Sequence, residues 1–232
     1  MRKILLFCLL ISVQFAIAQL PQSLIEATSK VTTFDEYDGS IYDNLRFLNA
    51  SVIDEKSGTF DAKLRYNIYL DVIEYKKGDE LFKLVSSPTT HARINDNYHY
   101  YCEFKNQRGL KQPGYYILVE LNERYRVYKK ITLSIVEPGQ KTSSLDVIEA
   151  GKIRKVVTYY LEERGIIMEL PVDKKEMLAV FSDKADELKS YMKAEKIKLR
   201  KEEDLVRLIS RYNALKSDGN IPARTLLSNS RN

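Results

Sequence analysis

The chain has 232 residues and carries 37 Lys and Arg against 32 Asp and Glu, a formal net charge of +5. That excess is too small to mark a nucleic-acid binder, and two cysteines are too few for a disulfide framework, so a hydrophobic core must hold the fold. Sixteen tyrosines and no tryptophan suit strands with one wet face, because a phenol joins an apolar ring to a polar tip.

Arg2 and Lys3, an apolar run from Ile4 to Ile17 broken only by Ser12 and Gln14, and the small-x-small sequence Ala16-Ile17-Ala18 read as a signal peptide cleaved before Gln19. A retained membrane anchor is the alternative, but the run falls short of the ~20 residues a spanning helix needs. Cys8 follows Phe7 inside the run, which does not fit a lipidation box. Removing residues 1–18 takes Arg2 and Lys3 from the 37 basic residues and leaves 35 against 32 acidic, net +3. About 214 residues then remain, enough for one large domain or a β domain with a helical annex. No later apolar run reaches spanning length, so no transmembrane segment is expected after cleavage, and the predicted location is periplasmic or extracellular. Cys102, then alone, excludes a redox CxxC; among Tyr100, Tyr101 and Phe104 it reads as a buried, inert thiol.

Residues 19–44 read as a polar leader and turn segment with one short helical turn, ending in the turn-rich Gly39 to Asn44. From 45 to 171 the apolar period is 2. Leu45 to Asp54 is a strand with Val52 and Ile53 in the core, and Glu55 to Gly58 closes a hairpin. The stretch from Ala62 to Val85 organises the rest. Leu64, Tyr66, Ile68 and Leu70 fall on one face and Arg65, Asn67, Tyr69 and Asp71 on the other, with a bulge or bend near Asp71 and Val72 where the parity slips. Lys76 to Asp79 is the turn of that hairpin, with Gly78 free to take φ > 0. Thr89 to Ile94 and Tyr98 to Lys105 are strands about an Asn95-Asp96-Asn97 turn, and Asn106 to Gly114 is a loop. Tyr115 to Leu121, Tyr125 to Val136, Lys152 to Leu161 and Gly165 to Leu170 complete the strands, with Gln140 to Ser144 a loop.

At Pro171 the period changes to 3.6. Asp173 with Glu176 makes a capping box before Met177, Leu178, Val180 and Phe181; Ser182 is placed to cap a second helix with Leu188, Tyr191 and Met192. A third helix repeats Leu205, Leu208, Ile209, Tyr212 and Leu215, with acids in its first turn and bases near its end, the order the helix dipole favours. Residues 217–232 are expected to be a disordered tail. The predicted fold class is α+β: an antiparallel β meander, sandwich-like or a partial barrel, followed by a small C-terminal bundle of short helices over 172–216.

GSIYDN at Gly39 to Asn44, LRYNIYLDVIEY at Leu64 to Tyr75, and the stretch from Phe181 to Asn213 with its KEEDLVRLISRYN ending together resemble a family of signal-peptide-bearing envelope proteins abundant in Bacteroidota, to which no activity is assigned. Ile41 departs from the family pattern, which has proline after Gly-Ser, so the local turn is expected to differ. The resemblance implies an envelope location and a shared architecture, and it transfers no catalytic residue.

Two rows of side chains compete for a functional role. Arg65, Asn67, Tyr69 and Asp71 mix charge, amide and phenol in a way that suits sugar or peptide recognition, although a solvated sheet face looks the same. His91, Asp96 and His99 are the alternative, a metal-assisted enzyme site, although a strand-turn-strand arrangement separates them and a zinc site wants three or four ligands in fixed geometry. HExxH, GxSxG, Walker and dinucleotide fingerprints are missing, and Glu162-Glu163 and Glu202-Glu203 are accounted for by a turn and a helix start. Lys184, Lys189, Lys193, Lys196, Lys198, Arg200 and Lys201, interleaved with Asp183, Asp186, Glu187 and Glu195, allow weak contact with a membrane surface, or else an ordinary soluble helix. The expected function is a non-enzymatic exported envelope protein, a binding or adaptor module without a cofactor, whose partner is another envelope protein or a glycan.

Overall fold

The structure, a computed structural model, describes residues 20–139 and 150–216. The predicted signal peptide, the loop from Gln140 to Ser144 and the tail 217–232 lie outside the described residues. In chain order the strands are β1 (Ile25–Ala27), β2 (Leu48–Asp54), β3 (Gly58–Asn67), β4 (Val72–Lys77), β5 (Glu80–Leu84), β6 (Thr90–Ile94), β7 (Asn97–Asn106), β8 (Lys111–Leu121), β9 (Arg126–Val136), β10 (Lys152–Glu163) and β11 (Ile166–Leu170). The helices are α1 (Lys174–Val180), α2 (Ala185–Ala194) and α3 (Glu202–Lys216), so the chain is α+β. Among the described residues no helix is long and apolar enough to cross a membrane.

The sheet consists of two meanders rather than one. β2 to β5 pair in sequence, β6 to β11 pair in sequence, and the two runs join through β2 and β6. β5 cannot take β6 because its free edge holds β1, with Ile25 opposite Leu84. All pairings between strands are antiparallel except a short parallel contact of Ile166 and Ile167 in β11 with Lys105 and Asn106 in β7. Because β7 also pairs with β8, strands β7 to β11 close a cycle of pairings.

Turn chemistry fixes most hairpins where the sequence places them. Asp54 accepts hydrogen bonds from the Lys56 and Ser57 amides ahead of Gly58, which sits at φ 92°, and Asn95 and Asp96 both take positive φ between β6 and β7. The β3–β4 turn differs from expectation. The chain reverses over Ile68 to Asp71, so the segment is a hairpin tip and not a strand with a bulge. Asn67 Oδ1 accepts the Leu70 amide at 3.1 Å and Asp71 adopts φ 52°, a turn that alternating apolar residues conceal. Leu70, placed inside by alternation, is 41 % exposed. The Asn106 to Gly114 loop also shrinks to four residues. Its end joins β8, and Pro113 is tolerated there because β9 pairs with β8 only from Ile117 onward.

Leu20, Leu24 and Ile25 of the leader are buried with Val52, Leu64, Ile73, Leu84 and Ile117, so this segment belongs to the core. The expected helical turn is present at Gln22–Leu24, and β1 follows it. Val127, Leu161 and Leu170 of the later strands pack on Met177, Phe181, Leu188, Leu205, Leu208 and Ile209, the docking that helices of this length require. Asp173 caps α1 by accepting the Lys175 and Glu176 amides. Ser182 caps nothing. It opens a short 3-10 turn after Phe181, whose ring is 1 % exposed and whose backbone leaves the helical region to put it there.

Candidate binding site

The row Arg65, Asn67, Tyr69 and Asp71 is not one solvent-facing surface, since Arg65 and Asn67 are covered. Segment 41–47 roofs it: Ile68 and Asp43 exchange backbone hydrogen bonds with Ile41 and Tyr66, and the rings of Tyr42 and Phe47 lie 3.6 and 4.4 Å from the Arg65 guanidinium carbon. Beneath that roof Arg65 stands opposite Glu74 in register. Its Nε and Nη2 donate to Glu74 Oε2 at 3.1 and 2.5 Å, while Asn67 Nδ2 donates to Oε1 at 2.8 Å. Glu74 and Asn67 are both fully buried, so these groups satisfy one another and are committed to the core.

Tyr69 is half exposed at the hairpin tip, edge-on to Phe34. Asp71 faces inward instead, accepting from Tyr66 Oη at 2.7 Å, the Tyr115 amide at 3.2 Å and Lys130 Nζ at 3.2 Å. It thereby clamps the tip onto β8 at Gly114 (φ 143°), where a Cβ would collide with the Asp71 carboxylate and the Lys130 ammonium.

The three residues of the metal alternative do not converge. In the β6–β7 register His91 opposes Tyr100 and Ala92 opposes His99, so the two imidazoles point to opposite faces of the sheet. His91 stacks on Tyr100 with centroids 4.5 Å apart, Asp96 pairs with Arg93 at the turn, and His99 is buried. Burial holds the His99 pKa down to about 4, with Nδ1 against the Asn97 carbonyl. Among the described residues no group of three His, Cys, Asp or Glu is arranged to hold a metal ion.

The face of β7 that His91 shares carries a different constellation. Tyr98, Tyr100, Cys102 and Phe104 alternate along β7, and Tyr116 and Leu118 oppose Tyr100 and Tyr98 from β8. Leu118 in turn opposes Tyr128, which opposes Tyr160, so a row of three tyrosines and Leu118 crosses four strands. Phe104 lies 5.0 Å from Tyr116 and 5.2 Å from Tyr128, and Tyr116 lies 5.8 Å from Tyr160, in the edge-on and tilted contacts that ring quadrupoles favour. The row opens into a cleft of about 530 Å³ lined by Tyr100, Cys102, Phe104, Leu118, Arg126 and Tyr128 among others.

Arg126 stands at the cleft with its side chain half exposed, and its Nη1 lies 3.3 Å from the buried Glu162 Oε2. Glu162 is not the solvated turn acid its position suggests. Its other oxygen accepts the Gly165 amide, so it both fixes the β10–β11 turn and orients Arg126. Burial pushes the Cys102 thiol up to about 12 and raises the Tyr100 and Tyr128 phenols, so at neutral pH these groups are protonated. The cleft therefore offers the partly exposed Tyr100 ring over buried aromatic neighbours, protonated hydroxyls, the oriented Arg126 guanidinium and the exposed Glu103 carboxylate, a set suited to stacking and hydrogen bonding. The Tyr98 to Phe104 alternation is visible in the sequence, but which of its faces stays open is not.

A second, polar groove of about 900 Å³ lies where the β8–β9 turn, the β10–β11 turn and the end of α3 meet, lined by Arg124, Arg126, Arg164 and Lys216 together with Glu123, Glu162 and Glu163. Its near-balanced charge selects no ligand class. No family model, no curated protein and no solved structure matches this chain.

Proposed function

We propose that the protein is an exported, non-enzymatic component of the bacterial envelope that acts as a binding or adaptor module, with a glycan seated in the aromatic cleft between β7, β8 and β9. The observation that carries this reading is the cleft with the partly exposed Tyr100 ring beside a buried aromatic cluster, with Arg126 held at its edge by Glu162. A pyranose presents C–H faces that stack on such rings and hydroxyls that bond to phenols and a guanidinium. The N-terminal signal-peptide pattern and the resemblance to Bacteroidota envelope proteins support the location. We further read the β7 to β11 cycle as a partial barrel whose interior is the Phe104, Tyr116, Tyr128 and Ile167 cluster.

The test is calorimetric titration with soluble peptidoglycan fragments and lipopolysaccharide core oligosaccharides. Saturable binding is expected, weakened about fivefold by Tyr100→Ala and about tenfold or more by Arg126→Gln, since one lost stack is worth roughly 1 kcal/mol and one lost charged hydrogen bond more. Unchanged binding by both variants, or none by the parent protein at millimolar oligosaccharide, would remove the cleft from consideration.

A further inference from the structure

We infer that the C-terminal half of α2 and the α2–α3 connection form a docking ridge for a bilayer bearing anionic headgroups. This goes beyond the glycan reading and shares no residue with the aromatic cleft. In the sequence, the lysines here are interleaved with acids that would cancel them, but in the structure Glu187 and Glu202 are held by other cations and Glu195 and Asp204 share Arg207, while Asp183 keeps its charge because only a neutral phenol donates to it. Asp183 accepts from Tyr212 Oη at 3.1 Å, Glu187 pairs with Lys184 at 3.6 Å, and Glu195 pairs with Arg207 at 2.5 Å. At the start of α3, Glu202 is held by Lys129 and Tyr159, and Asp204 by the Lys198 amide and Arg207.

What is left is an excess of cations. Lys189, Lys193, Lys196, Lys198, Arg200 and Lys201 are exposed and none forms an ion pair with a described residue, while Asp183, Asp186 and Glu203 are the acids near them without a cationic partner and Glu195 and Asp204 share one. None of the six lines any of the clefts at the strand ends or on the sheet. Strung along the chain from residue 189 to residue 201 and outside these clefts, they suit a surface of headgroup phosphates better than a compact ligand. Each cation near such a surface adds attraction, and the sum is strongly screened by salt. Leu188 and Met192, the apolar side of α2, are buried against the core with Leu199, so the ridge has no greasy face to insert and must act by charge alone.

The experiment is co-sedimentation of the chain beginning at Gln19, which holds the whole described core, with vesicles of phosphatidylcholine alone or with about 30 % phosphatidylglycerol. Binding is expected to the anionic vesicles at about 0.05 M NaCl and to vanish at about 0.5 M. The variant Lys189→Gln/Lys193→Gln/Lys196→Gln/Lys198→Gln should bind at least tenfold more weakly with an unchanged unfolding midpoint. A control with equal charge loss, Lys63→Gln/Lys77→Gln/Lys105→Gln/Lys111→Gln, should keep most of the affinity. No binding of the parent chain at low salt, equal weakening by the control, or binding that survives high salt would each overturn the ridge.

Discussion

The two regions of this molecule bury polar groups in opposite ways. In the β2–β6 region the ionised pair Arg65 and Glu74 is taken inside together with Asn67 and roofed by Tyr42 and Phe47. In the helix-covered region Glu120 is also fully buried, but it meets only neutral hydroxyls, Tyr125 Oη at 3.3 Å and Ser210 Oγ at 3.2 Å, and its Oε2 has no partner among the described residues. Desolvation accordingly pushes its pKa up to about 7. A charge kept inside needs an opposite charge, and where none is supplied the protein holds a proton instead.

Breaking the paired arrangement should have the largest effect. Arg65→Ala leaves Glu74 buried against a single amide, and urea unfolding should show a loss of about 4 kcal/mol. A loss under about 1 kcal/mol would mean that the roof, and not the pair, holds this region.

Next comes the joint between the regions. Asp71→Ala strands the Tyr115 amide and the Tyr66 hydroxyl beneath the hairpin tip, and should cost about 2 kcal/mol by the same measurement. Lys130→Met should cost less, because Asp71 keeps its bonds from the Tyr66 hydroxyl and the Tyr115 amide and its carboxylate is partly exposed.

The smallest effects are on pH dependence, and they sharpen the contrast. Glu120 has a folded pKa near 7 against an unfolded 4.5, so the native state holds the extra proton and stability falls as pH rises from 4.5 through 7. His99, in the β6–β7 pairing, has a folded pKa near 4 against 6.5, so its contribution is present above 6.5 and is lost as pH falls towards 4. The two slopes oppose one another between these limits. Glu120→Gln should raise the thermal midpoint at pH 8 by a few degrees and expose the uncompensated His99 slope below 6.5; a variant whose midpoint does not rise with pH from 4.5 to 6.5 would assign the proton to another group.

Several elements were legible because their causes are local. Gly58 and Gly78 occupy the turns where φ must be positive, and Asp173 caps α1 through its own neighbours. The change of period at Pro171 marks the switch from strands to helices, since it reflects which faces of nearby residues are apolar. The candidate site was less legible. Alternation correctly divided 64–67 and 98–104 into two faces each, but it assigned Arg65 and Asn67 to solvent and gave no reason to prefer the Tyr100 face as an opening.

By itself the sequence determined the strand and helix content, the positions of most hairpins and the sharp boundary at Pro171, because propensity, turn geometry and capping act over a few residues. Only the tertiary structure decided which faces are wet. Segment 41–47 covers Arg65, no described segment covers Tyr100 and the rim of its cleft, and the pairing of Glu187, Glu195 and Glu202 with other cations leaves the lysines between them without ion pairs. A face is buried by whatever packs on it, and the packing partner here lies tens of residues away, beyond the reach of any local pattern.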